Sequence, residues 1–341
     1  MTFFLSCKTE KKVSDEISKE SDVLQVVQQF IPGKVWNDTD GNPINAHGGG
    51  ILYIKDTYYW FGEFKKGETW QPESTLDWEG TRVEATGISC YSSKDLYNWQ
   101  NEGIVLKANQ SDSTHELHTS KVMERPKVIF NEKTQKYVMW FHCDSQDYSY
   151  SRAGVAVSEN VTGPYKFIGS IRPNKSMSRD QTIFKDTDGK AYHIYSSENN
   201  ETMHVSLLTE DYLKPSGNYN RIFLGRTREA PAIFKRKGKY YLISSGCTGW
   251  SPNPAEYAVA DEIMGEWNVV GDPCDGDTKG TTFDSQSTFV LQVEGKPDTY
   301  ILMADRWNHH DLEKSGYVWL PINFENEFIK INWLDEWAIN N

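Results

Sequence analysis

Tyr58-Tyr59-Trp60-Phe61-Gly62-Glu63 is a short aromatic run of the kind that makes a buried strand, and the chain repeats its texture four more times. The other copies are Lys136-Tyr137-Val138-Met139-Trp140-Phe141-His142, Lys190-Ala191-Tyr192-His193-Ile194-Tyr195, Lys239-Tyr240-Tyr241-Leu242-Ile243-Ser244 and Thr299-Tyr300-Ile301-Leu302-Met303-Ala304. Most follow a polar turn, such as Asp186-Thr187-Asp188-Gly189 or Arg236-Lys237-Gly238. Copies about 50 to 80 residues apart signal radial repetition. Five of them predict an all-β, five-bladed β-propeller, in which residues far apart in sequence share one axial pocket. After each run comes a strand, a polar turn and an aromatic: Trp99, Tyr165, Tyr212 and Trp267 are the four copies, expected to plug the gaps between blades.

The chain has 341 residues and a formal net charge of −12, which argues against nucleic acid or an anionic membrane surface as partner. Aromatics make up 13% of it, serving either strand packing or sugar stacking. No apolar stretch of about 18 residues exists to span a bilayer. Met1-Thr2-Phe3-Phe4-Leu5-Ser6-Cys7 resembles the tail of a bacterial lipoprotein signal, with Cys7 as the lipidated residue. Residues 8–25 read as a polar tether, and 26–341 as the propeller domain. On this reading the protein is exported and lipid-anchored in a bacterial envelope, and a lipid on Cys7 is its only link to a membrane. Cys90, Cys143, Cys247 and Cys274 fit no zinc spacing and are expected to be single thiols. Residues 186–189 read as a hairpin turn rather than a calcium loop, and no metal site is expected. The insertion from about 64 to 84, carrying Trp70 and Trp78, is a candidate wall or lid. Ile331-Asn332-Trp333-Leu334 is expected to close the ring by pairing with the first blade.

Four polar residues stand at equivalent points, each just before an apolar run: Glu124, Asp180, Glu229 and Gln286. If those runs are the innermost strands, the four side chains converge at one end of the axis. Their neighbours Arg125, Arg179 and Arg228 are expected to face away, since adjacent strand residues point to opposite faces. Clustered carboxylates without His or Cys partners suit glycoside hydrolysis, in which one acid is kept protonated and another group serves the water. Glu63, at the end of the first repeated run, is a reserve carboxylate. Tyr148 and Tyr150 are placed at the rim. Asn199 and Asn200 either bind sugar hydroxyls or shape a turn, and His47 sits either in the pocket floor or in a structural role.

Arg228-Glu229-Ala230-Pro231, Ser178-Arg179-Asp180 and Ser244-Ser245-Gly246-Cys247-Thr248-Gly249-Trp250 resemble glycoside hydrolase family 43, over about residues 32 to 335. The resemblance implies that Glu229 is the general acid and Asp180 the carboxylate that raises its pKa. The family usually carries an Asp base on the first blade, where this chain reads Asn45-Ala46-His47-Gly48-Gly49-Gly50. That opening, with Glu124-Arg125-Pro126-Lys127 and Ser285-Gln286-Ser287-Thr288, is similar to the exo-β-1,3-galactanase branch. There Gln286 and Glu124 would flank the nucleophilic water, leaving open which handles its proton. Trp250 and Thr248 match sugar-contacting positions, with blade packing the alternative for Trp250. The implied activity is inverting removal of β-1,3-linked galactose from galactan or arabinogalactan. Alternatives are an α-L-arabinofuranosidase or side-chain β-galactosidase of the same family, and a non-catalytic glycan-binding surface lipoprotein. No cofactor is required; a structural calcium occurs in relatives but no residue here compels it.

Overall fold

Each of the five repeated runs becomes the second strand of a four-stranded antiparallel unit. The computed structural model describes residue 1 and residues 28–72 and 80–339; Cys7, the 8–25 tether and Trp78 lie outside the described residues. Blade one comprises β1 (His47–Ile54), β2 (Thr57–Lys65), β3 (Ala85–Ser93) and β4 (Gln100–Lys107). Blade two comprises β5 (Val122–Asn131), β6 (Lys136–Asp144), β7 (Arg152–Ser158) and β8 (Lys166–Ile171). Blade three is β9 (Gln181–Lys185), β10 (Ala191–Ser197), β11 (Thr202–Leu208) and β12 (Pro215–Ile222). Blade four is β13 (Arg228–Arg236), β14 (Lys239–Gly246), β15 (Glu256–Ala260) and β16 (Asn268–Gly271). In blade five, β17 (Cys274–Asp275) joins the outer edge of β18 (Gln286–Gln292), β19 (Tyr300–Arg306), β20 (Gly316–Glu325) and β21 (Phe328–Asn332).

The inner strands β1, β5, β9, β13 and β18 surround the axis and are stitched to one another in sequence order. Lys127 Nζ donates to Gly48 O at 2.8 Å, and Gln181 Nε2 donates to Arg125 O. Ala230 N donates to Asp180 Oδ2 at 3.1 Å, Ser287 Oγ to Ala230 O at 2.8 Å, and Thr288 Oγ1 to Gly49 O at 3.2 Å, which completes the circuit. Apolar side chains fill the wedges between blades. Trp99 lies in the cluster between blades five and one, Tyr165 between one and two, Tyr212 between two and three, and Trp267 between three and four. All four are buried, as expected of inter-blade plugs.

The C-terminal expectation needs correction. β21 pairs with β20 and with β17 inside its own blade, because Phe328 returns directly over a short turn at Glu325. Closure instead runs through an antiparallel bridge between Phe30 and Trp337, whose rings stack with centroids 4.4 Å apart. The described part of the first-blade insertion is clasped by paired backbone bonds between Trp70 and Arg82. It reaches three other blades: Thr81 O accepts Trp250 Nε1, the Arg82 guanidinium lies 4.1 Å from the Tyr148 ring centre, and Thr69 Oγ1 accepts Leu312 N.

Candidate active site

The inner strands begin at one mouth of the axis, and there a cavity of about 700 Å³ opens. Glu124, Asp180, Glu229 and Gln286 all line it, together with Glu63, Tyr148, Asn199, Asn200, Thr248 and Trp250. The opposite mouth holds a larger hollow of about 860 Å³, but its inner lining is the aliphatic ends of the same strands, such as Ile129, Ile183 and Ile233. The charged groups at its rim are tied up in pairs such as Lys185–Glu132 and Lys235–Asp186, whereas the first mouth gathers Glu63, Glu124, Asp180 and Glu229 in one cavity.

Backbone irregularity aims the site. In β1, β5 and β13 the pairing slips after His47, Glu124 and Glu229, and the next residue is left-handed: Gly48 at φ 59°, Arg125 at 54° and Ala230 at 54°. Such a bulge turns the extra N–H out of the ladder. Each one finds a carboxylate: Gly48 N donates to Asp305 Oδ2 at 3.0 Å, Arg125 N to Glu63 Oε1 at 3.0 Å, and Ala230 N to Asp180 Oδ2. The bulge also overturns the expectation for Arg125, because strand alternation fails where a residue is inserted. Its guanidinium turns inward, 3.0 Å from Asp180 Oδ2, and donates to Gln286 Oε1. Arg228 does turn away, onto Ser244, whereas Arg179 lines the cavity and bonds Tyr148 O.

Glu229 is surrounded by donors and one anion. Gln286 Nε2 donates to its Oε1 at 2.8 Å, and Asn200 Nδ2 stands 3.4 Å from its Oε2. Burial above all, then the nearby charge of Asp180, pushes its pKa up to about 8, against the pull of Arg125, the Cys247 thiol and Gln286. Glu124 is driven the other way. Burial favours its neutral form, but His142, Lys65 and Arg82 prevail and hold it well below the usual carboxylate range. Tyr148 donates its hydroxyl to Glu124 Oε1 at 2.9 Å. Glu63 is raised by burial and by Glu124, with the Lys65 ammonium at 2.7 Å opposing. Gln286 is fully engaged: its oxygen accepts from Arg125 and from Trp307 Nε1, and its nitrogen donates to Glu229 and to Ser245 Oγ.

The remaining expectations divide. Trp250 lines the cavity and also packs edge-on against Trp307, centroids 5.0 Å apart. Thr248 lines it too, though its hydroxyl donates to Ser251 O within its own loop. Asn199 and Asn200 belong to a turn in which Glu198, Asn199 and Asn200 are successively left-handed. Tyr150 is a correction: it does not line the cavity, and its hydroxyl donates to Glu116 Oε1. Tyr148 and Ser151 are left-handed in that turn, so residues two apart need not share a face. His47 lies beneath the floor, fully buried, stacked on Tyr317 and 3.1 Å from Asp305 Oδ1.

Lys65, Arg125, His142, Ser245, Cys247 and Trp307 were not singled out as site residues from sequence. Register holds the signal for two of them, since His142 pairs across from Glu124 and Ser245 from Glu229. Among the described residues, Glu124, His142 and Asp180 offer ligand atoms within 4.8 Å of one another. Lys65 and Arg125 already balance those carboxylates, so a divalent cation does not fit the charge of this cluster.

Comparison with known proteins agrees with the fold. The family model described as glycosyl hydrolases family 43 matches residues 42–311. A family 43 β-1,3-galactosidase structure superposes with a TM-score of 0.84 at 44% identity, covering 91% of this chain, which spans only 63% of that longer one. A second, solved with galactodeoxynojirimycin, gives 0.82 at 41% identity, covering 91% of this chain and 100% of the other. The exo-β-1,3-galactanase of Phanerochaete chrysosporium, solved with β-1,3-galactotriose, gives 0.81 at 37% identity over 92% of this chain and 68% of that one. A search of curated proteins returned no match. The chain belongs to glycosyl hydrolase family 43.

Proposed function

We propose that this protein is an inverting exo-glycosidase that removes β-1,3-linked galactose from galactan and arabinogalactan backbones. The observation that carries the proposal is two glutamates held in opposite surroundings within one cavity: Glu229 is buried beside the Asp180 carboxylate, which raises its pKa, while Glu124 faces His142, Lys65 and the Tyr148 hydroxyl, which lower its own. Pairs of carboxyl groups driven apart in this way divide acid and base work between them. The sugar and linkage come from the relatives, which act on β-1,3-galactosides.

In this reading Glu229 gives its proton to the glycosidic oxygen as the bond to the anomeric carbon breaks. Asp180, clamped by Arg125 and by Ala230 N, keeps Glu229 protonated until then. Water attacks the opposite face and passes a proton to Glu124, releasing α-galactose. Gln286 cannot take that proton, because both of its acceptor positions and both donors are in use; it orients Glu229 instead. This proton-transfer chemistry calls on no cofactor.

The test is galactose release from β-1,3-galactan with the anomer followed by proton NMR. Wild type should release α-galactose first, and Glu229→Gln should lose about a hundredfold or more in rate. Undiminished release by the variant overturns the assignment of the acid; β-galactose as first product overturns inversion.

A further inference from the structure

His142 and Asp144 sit behind Glu124 and take no part in the steps above. His142 is buried, with Nδ1 3.4 Å from Glu124 Oε2 and Nε2 2.8 Å from Asp144 Oδ2. Asp144 is wholly buried, and its other oxygen accepts the N–H groups of Ser145 at 2.8 Å and Ser151 at 2.7 Å. Two backbone donors hold that carboxylate in one orientation against the ring. It therefore fixes a proton on Nε2 of the ring, and the second carboxylate, at Nδ1, favours a proton there as well. Burial opposes the charged ring, yet Asp144 and Glu124 together raise its pKa to about 9.

We infer that Asp144 and His142 form a buried charge anchor for Glu124, a positioning pair that keeps this glutamate ionised and oriented toward the attacking water in acidic as well as neutral solution. The inference rests on Glu124 as the acceptor of the water proton. No bond forms or breaks at His142; the proton that Glu124 takes from water is released to solvent, and Glu229 regains one for the next turnover. The other charged and titratable groups facing Glu124 are Lys65 at 3.8 Å, the Tyr148 hydroxyl, Arg82, Glu63 and Asp180. Asp144, Glu124 and the Tyr148 ring face His142.

Asp144→Asn separates charge from shape. The asparagine oxygen can still accept from Ser145 and Ser151, while its amide must donate to Nε2, which leaves a neutral ring with its one proton on Nδ1, still facing Glu124. The readout is kcat/KM against pH on β-1,3-galactobiose, each enzyme scaled to its own value at pH 6.5. A group needed as the anion loses activity as pH falls through its pKa, so releasing Glu124 moves the acid limb upward. Lys65, Arg82 and the Nδ1 proton remain, so the acid limb of the variant moves up toward the ordinary value of about 4.3 without reaching it, and its relative activity falls below that of wild type as pH drops under about 4. Superimposable profiles overturn the inference. An independent measurement needs no variant: nitrogen NMR of wild type should find the His142 ring doubly protonated at pH 7, and a neutral ring there overturns it equally. Glu229→Gln run alongside separates the two proposals. If that variant still releases galactose, the hydrolytic roles fail; if it is dead and the Asp144→Asn limb has not moved, only the anchor fails.

Discussion

Glu229→Gln should make the protein more stable as well as inactive, and the gain should grow with pH. The unfolded chain releases the Glu229 proton near the ordinary glutamate value of about 4.3, whereas the native protein holds it to about 8. Between those values the native state binds more protons than the unfolded one, so stability falls as pH rises and levels off above about 8. Each unit is worth about 1.4 kcal/mol, which puts the burden at pH 7 at roughly 3 to 4 kcal/mol. Glutamine cannot ionise and does not carry it. The amide also fits: Gln286 Nε2 can still donate to the retained oxygen, and the buried Asn200 Oδ1, which has no hydrogen-bond partner among the described residues, can accept from the new NH₂ after a flip. Urea unfolding of both proteins at pH 4.5, 6, 7 and 8.5 should show coincident midpoints at the lowest pH and a widening gap above it. A gap independent of pH, or a less stable variant at pH 7, would refute the reasoning, because the buried carboxyl would then carry no ionisation penalty.

Asp180→Asn removes the anion that raises Glu229 and leaves Arg125 without its counter-charge, so the alkaline limb of kcat/KM should move down by about 1 to 3 units from near 8; an unmoved limb in the pH profile would leave burial as the whole cause. Gly48→Ala sets a Cβ 2.1 Å from Glu63 Oε1 at a φ of 59°, and should cost about 1 to 3 kcal/mol in urea unfolding and displace Glu63 from Lys65 and Arg125 N. His193 is fully buried between Trp140 and Tyr195 with neither ring nitrogen bonded among the described residues, so His193→Phe should stabilise by about 1 to 3 kcal/mol. Burial depresses the His193 pKa to about 3, so the native state binds fewer protons than the unfolded one below about 6.5, and the advantage of Phe should widen as pH falls through that range in thermal melts.

The propeller was legible because its signal is local. Each second strand is an apolar run bounded by turn residues, and the aromatic plugs Trp99, Tyr165, Tyr212 and Trp267 recur at the same place in four repeats. The convergence of Glu124, Asp180, Glu229 and Gln286 followed from the repeat alone. What failed depended on turns and pairings that periodicity does not encode. Tyr150 left the cavity because the left-handed residues Tyr148 and Ser151 rotate that turn, and β21 found β17 through a crossing visible only in three dimensions. Lys65 was illegible for a similar reason. Its backbone N–H donates to the buried Asn45 Oδ1, which fixes it beside Glu63, and nothing in a single strand announces a partner 20 residues away.

Arg125 was misread for a more instructive reason. Alternation places it opposite Glu124, and alternation holds wherever a strand is regular. The inner strands are irregular at the mouth, and the irregularity is shared: Gly48, Arg125 and Ala230 each interrupt pairing one residue after a polar side chain. Each freed N–H goes to a carboxylate on another blade, Asp305, Glu63 and Asp180 respectively. Three acids are thereby fixed by main chain rather than by mobile side chains, and fixed donors stabilise an anion at little entropic cost. That leaves the side-chain cations Arg125 and Lys65 to set the balance between the acids that must ionise and the one that must not. The same bulges that join one blade to the next therefore set the polarity of the pocket. A propeller with perfectly regular inner strands would close just as well, but would bring Glu229 to the axis without an anchored Asp180 to keep it protonated.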